Sequence, residues 1–131
     1  MSSYESFRAL LAEVCQSEGW GLSADQVELK FEDGRRQLVR VQEFRFDQTE
    51  MLRVFSVIGP AKHIDPVRLT DGLRLSFKLP HGAMALHDNE LVIVDTLRAA
   101  EADAPEIRAC LRYLAETADR YEKTMFGVDD H

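Results

Sequence analysis

The chain is poor in the residues that would tie it to an oxidising compartment, a membrane or a nucleic acid. Cysteine occurs only twice in 131 residues, as Cys15 and Cys110. Each lies on the apolar stripe of an expected helix, so both are read as buried, reduced and poorly reactive thiols of a reducing compartment. A nucleophilic thiol would need a polarising His or Lys, and neither helix supplies one. A disulfide between the two helices is the less favoured arrangement. No run comes near the roughly 18 apolar residues that cross a bilayer. Met1-Ser2-Ser3-Tyr4-Glu5 offers neither a basic flank nor an apolar segment. It is therefore not read as a secretory signal, and a cytoplasmic location is expected.

Positive charge is also scarce. Sixteen Lys and Arg face 23 Asp and Glu, a net charge of −7, and the basic residues are spread along the chain. Nucleic-acid binders carry a basic patch, so that partner class is excluded. Acidity favours solubility and discourages anionic membranes. Glycines form no phosphate loop; Asp71-Gly72 and His81-Gly82 stand isolated. Serines occur without a nucleophile elbow. The histidines are His63, His81, His87 and His131. His81 and His87 flank an expected strand about 20 Å apart, too far to share a metal. Glu28, Glu32, Glu90, Asp95 and the run from Glu101 to Glu106 are read as solvated faces or helix caps. No catalytic residue, metal or cofactor is assigned, and a small enzyme using scattered carboxylates is the least favoured reading.

What is present suits one globular domain over residues 1–131. A chain of this length buries about two-thirds of its unfolded surface and needs no disulfide or metal to fold. Ser2 to Glu18 is predicted as a helix. Phe7, Leu10, Leu11, Val14 and Cys15 share one face, Ser2 with Glu5 forms a capping box, and Gly19 is the stop. Val27, Leu29 and Phe31 alternate with charged residues, a strand with one wet face. Asp33-Gly34 gives a hairpin turn. The return strand, about Arg36 to Phe46, changes apolar phase between Val39/Val41 and Phe44/Phe46. One set must face away from the core unless a bulge intervenes. Met51 to Ile58 is nearly unbroken apolar and reads as a central strand covered on both faces.

The segment from Ile64 to Leu79 is ambiguous by pattern. Leu73, Leu75, Phe77 and Leu79 alternate with polar residues as a strand would. Yet Asp65-Pro66 looks like an N-cap and first helical residue, and Pro80 follows the end. Ala83–His87 and Leu91–Leu97 form a second hairpin around Asp88-Asn89. The final helix starts at a capping box of Asp103 and Glu106. Ile107, Leu111, Leu114, Ala118, Tyr121 and Met125 form its stripe, Gly127 ends it, and the tail 128–131 is expected to fray.

This order resembles the type III secretion chaperones of the Tir-chaperone class and the related YbjN-like proteins. The most suggestive stretch runs from Leu73 through Lys78-Leu79-Pro80-His81-Gly82 to Leu86. It is similar to the family's second helix entering the first strand of its hairpin, with Ser76 where relatives often carry Asn. The segment from Leu114 to Glu122 is similar to its last helix. The resemblance implies an α+β fold, α-β-β-β-α-β-β-α, with helices packed on an antiparallel sheet. It also makes Asp65 to Lys78 a helix, apolar nearly all round, which must be covered on more than one side. In the family this helix commonly lies at a homodimer interface, which implies Leu69, Leu73, Leu75, Phe77 and Leu79 as dimer residues. Leu38, Phe44, Phe46, Phe55 and Val57 are either plain core or an apolar surface that captures a partner segment. The expected function is a protein-binding homodimer that holds a non-globular segment of a partner, such as a secreted effector or a regulatory protein. The alternative is a YbjN-like regulatory or stress-related protein with no secretion role.

Overall fold

The computed structural model describes residues 2–126, so Gly127 and the tail beyond it lie outside the described residues. Helix α1 (Ser3–Glu18) begins at the expected capping box. Ser2 Oγ accepts from the Glu5 amide at 3.2 Å, and Glu5 Oε1 accepts from the Ser2 amide at 2.8 Å. Gly19 closes the helix at φ 75°, a left-handed value that costs glycine little. Six strands follow: β1 (Gly21–Ser23), β2 (Gln26–Lys30), β3 (Arg36–Phe46), β4 (Thr49–Pro60), β5 (Ala83–His87) and β6 (Glu90–Arg98). They form one antiparallel sheet in the order β1-β2-β3-β4-β6-β5. The short β1, exposed throughout, is an addition to the expected layout.

The helix at the ambiguous segment is α2 (Pro66–Ser76). Asp65 Oδ1 accepts from the Val67 amide at 2.8 Å, and Pro66 occupies the first turn, where its missing N–H costs nothing. Helix α3 (Ala104–Phe126) opens with the Asp103–Glu106 capping box and buries all six residues of its expected stripe. Its Ile107, Leu111 and Leu114 pack with Phe7, Val14, Leu52 and Ile93 in one core between the sheet and the helices.

The phase change in β3 is real, and no bulge corrects it. Pairing with β4 runs without a shift from Val39↔Ser56 to Phe46↔Thr49. Val39 and Val41 therefore point into the core, and Phe44 and Phe46 point to the other side. Gln37 precedes them on the inner face, buried but satisfied: its Nε2 donates to Ser56 Oγ and to the Val57 carbonyl, both at 2.9 Å. The sheet's irregularity lies instead in β4, where the pairing with β6 shifts between Val57 and Gly59.

Strand β4 is central in the sheet, but it is not covered on both faces as its apolar run suggests. α1 and α2 both pack with α3 on the core side. Among the described residues no element covers the other side. Phe55 is 3% exposed there only because neighbouring side chains shield it, while Arg53 and Val57 are half-buried.

Candidate functional site

Among the described residues, two apolar surfaces lack a covering element. The first is the outer face of the sheet. Strand alternation and the β3–β4 register put Leu38, Phe44, Phe46, Phe55 and Val57 on it together. They fall into two groups. Phe44 and Phe46 stand near the β3–β4 turn, opposite Met51 and Thr49. Phe55 stands about 13 Å and Leu38 and Val57 about 20 Å along the strands from Phe44, with Arg53 and Gln42 between. Leu38 and Phe46 are exposed, Phe44 and Val57 half-buried, and Phe55 forms the floor.

Two residues that sequence patterning missed finish this face. The Arg53 guanidinium lies 3.9 Å from the Phe44 ring centroid, a cation–π contact that holds the ring flat against the sheet. The His87 ring sits 5.2 Å from that of Phe55. Between them Gln42, Arg53, Phe55, His87, Val92 and Val94 line a depression of about 230 Å³. Alternation in β3 and β4 could have assigned Arg53 to this face, but His87 reaches it only through the strand order. The result is a ridged apolar surface with cationic rims. It can take apolar side chains; it presents no nucleophile and base within reach of each other.

The second surface is on α2. At 100° per residue, Leu69, Gly72 and Ser76 share a narrow arc turned toward β5 and α3. Gly72 packs so closely that a β-carbon there would lie 1.8 Å from Met125 Cε, and Ser76 Oγ accepts from the Met84 amide at 3.0 Å. The bulky residues lie outside the arc. Leu73 and Leu75 are half-exposed and Phe77 is 91% exposed, so neither the sheet nor α3 covers them. Of the five residues expected at this surface, Leu69 and Leu79 pack partly on the chain's own core. Val67, which patterning passed over, is also exposed, near the start of the helix.

Cys15 is buried; Cys110 is only half-buried, which corrects the expectation of two sequestered thiols. Among the described residues no three His, Cys, Asp or Glu side chains converge as a metal site requires. No helix there is long and apolar enough to cross a membrane. Charged pairs tie elements together instead: Arg35 bonds Asp119 at 2.7 Å, Arg8 bonds Glu43 at 2.6 Å, and Arg112 bonds Glu18 at 2.7 Å.

No protein-family model matches the sequence, and no curated protein matches it. Solved structures do. A chain of the HopA1–SchA chaperone–effector complex superposes with a TM-score of 0.62 at 12% identity, covering 94% of this chain and 98% of the other. A chain of the ExsC–ExsE complex gives 0.66 at 14% identity, covering 94% and 95%. A chain from the complex of the Yersinia pestis type III secretion chaperone SycH with a stable fragment of YscM2 gives 0.58 at 16%, covering 88% and 98%. This chain has the type III secretion chaperone fold. At these identities the likeness concerns the fold, and it agrees with the α+β reading of the sequence.

Proposed function

We propose that the chain is a non-enzymatic, cytoplasmic protein-binding module. It works as a homodimer that holds a non-globular segment of a partner, a secreted effector or a regulatory protein. The observation that carries this reading is the pair of uncovered apolar surfaces, because stable monomers rarely leave such patches without an interaction to use them. The α2 surface is assigned to the second copy. The outer face of the sheet, with Leu38, Phe44, Phe46, Phe55 and Val57, is assigned to the partner. An extended or helical segment lying on it would bury Phe46 and Leu38, each worth about 1.5–3 kcal/mol when fully covered. The similarity to chains from a chaperone–effector complex and from a complex of a type III secretion chaperone with a protein fragment supports the same reading.

The test is co-expression with the products of neighbouring genes and isolation of a complex. Leu38→Asp combined with Phe46→Asp is expected to abolish that complex while leaving the fold and the oligomeric state unchanged. A complex that survives both substitutions would remove the outer face from the reading. A gene neighbourhood with no secretion components would favour the YbjN-like alternative.

A further inference from the structure

Strand β6 is longer than the edge strand that covers it. β5 pairs with β6 only from Ala83↔Val94 to His87↔Glu90, while β6 continues to Arg98 along β4. From Asp95 to Arg98 the β5 side of β6 therefore has no strand partner among the described residues. Gly82 marks where β5 leaves: it has φ +71°, and a β-carbon there would meet the Val94 carbonyl oxygen at 2.8 Å. Two edge groups are already taken: Thr96 N–H donates to its neighbour Asp95 Oδ1 at 2.9 Å, and the Arg98 carbonyl accepts from the Glu101 and Ala102 amides, both at 3.1 Å.

Beside this edge, between β6 and α3, lies a cavity of about 460 Å³. Leu97, Ala109 and the Tyr113 ring line its apolar part, and Asp95 and Glu106 bring two carboxylates to it. The His81 ring, another wall, meets Tyr113 edge-on at 5.8 Å. Among the described residues no Lys or Arg forms an ion pair with Asp95 or Glu106. The Tyr113 hydroxyl is buried without a hydrogen-bond partner, which a folded protein does not usually leave uncompensated.

We infer that the free half of β6 and this cavity together dock an extended segment of a partner protein that inserts an Arg or Lys side chain between β6 and α3. Backbone hydrogen bonds to the remaining edge groups, the Thr96 carbonyl and the Arg98 amide, would supply register, as in other strand additions. The aliphatic stem of the inserted side chain would lie on Leu97 and Tyr113 while its cationic head meets Asp95 and Glu106. The carboxylates without a cation and the absence of Lys or Arg from the lining select a basic side chain over an acidic or apolar one. The inference deepens the protein-binding reading but uses a different place from the outer face, so the two can fail separately.

The test is titration of the full chain, followed by backbone NMR, with acetyl-Thr-Val-Arg-Val-Thr-amide, its Glu counterpart and arginine amide alone. The Arg peptide is expected to shift Thr96 to Arg98 and the Cys110–Tyr113 turn of α3. Asp95→Asn and Glu106→Gln together should weaken it at least tenfold. Both variants keep their local backbone bonds, since Asn can still accept from Thr96 and Gln serves in a capping box. The Glu peptide should not bind. Absence of shifts at millimolar Arg peptide, or equal binding by the double variant, would overturn the site. Equal binding by arginine amide would overturn strand addition. Leu38→Asp with Phe46→Asp should leave the peptide titration unchanged, so a partner complex that survives those two substitutions while the peptide still binds would count against the proposed function alone.

Discussion

Cys110 sits half-buried on the wall of the β6–α3 cavity, and its thiol is pushed up to about 12, first by burial and then by the nearby Asp95 carboxylate. At pH 8 a free cysteine is roughly one-quarter thiolate, whereas a thiol titrating near 12 is about one part in ten thousand. Only the thiolate reacts, though a thiolate of higher pKa is the stronger nucleophile, so labelling of Cys110 at pH 8 is expected to be at least about tenfold slower than that of free cysteine. Asp95→Asn, which removes the carboxylate's contribution, should speed it. Cys15 is also raised by burial and should resist labelling without denaturant. Complete labelling of either thiol within minutes in the native protein would contradict this. The linkage has a definite sign. A thiol held above its unfolded value of about 8.5 makes its full contribution below that pH and loses it as the pH climbs toward 12. Neither burial by a distant strand nor the proximity of Asp95 is visible in the stripe that placed Cys110 on a helix. That stripe gave the right element and too deep a position.

Helix α2 shows why pattern reading stalled on one element and succeeded on others. α1 and α3 carry large apolar residues on a single inward stripe, so helical spacing identifies them directly. In α2 the inward arc is Leu69, Gly72 and Ser76, and the large residues flank it or point away. Leu73, Leu75 and Phe77 then alternate in sequence and mimic a strand. The caps at Asp65-Pro66 and the family layout carried the correct assignment. β1 left no signal because three exposed residues have no room for alternation. The phase change in β3 was legible, and its consequence, an apolar outer face, could be read without a structure. The helices' placement on one side of the sheet could not, because it depends on tertiary contacts. The small residues in α2's arc have a measurable role. Gly72→Leu must displace Met125, whose methyl occupies the space. Overpacking of this kind should cost about 1–3 kcal/mol in urea unfolding. Thr70→Leu, on the exposed side of the same helix, should stay within about 0.5 kcal/mol. Equal effects at the two positions would show that α2 does not dock through Gly72.

Across the whole molecule, the same inversion of α2 bears on assembly. Leu73, Leu75 and Phe77 leave hydrophobic surface on α2 of a chain whose net charge is −7. A twofold dimer is the commonest way to hide such a surface, because one patch meets its own copy. Leu73 and Leu75 are already half-buried within one chain while Phe77 is almost fully exposed, so at about 1.5–3 kcal/mol per fully buried side chain the six residues of a dimer contribute about 6–11 kcal/mol. That is comparable to the association cost of roughly 4–15 kcal/mol, and the rest of the interface adds to it. The general like-charge repulsion between two acidic copies is screened beyond about 8 Å at physiological salt. Sedimentation should therefore find a dimer at micromolar concentration. Leu75→Asp with Phe77→Asp should give a monomer with an unchanged circular dichroism spectrum, since both side chains are exposed within one chain. Because the dimer forms only from folded chains, the urea midpoint of the wild type should rise with protein concentration, and that of the variant should not. A wild type that sediments as a monomer at high micromolar concentration would end the dimer reading. A variant that fails to fold would show that these residues support the chain's own core instead.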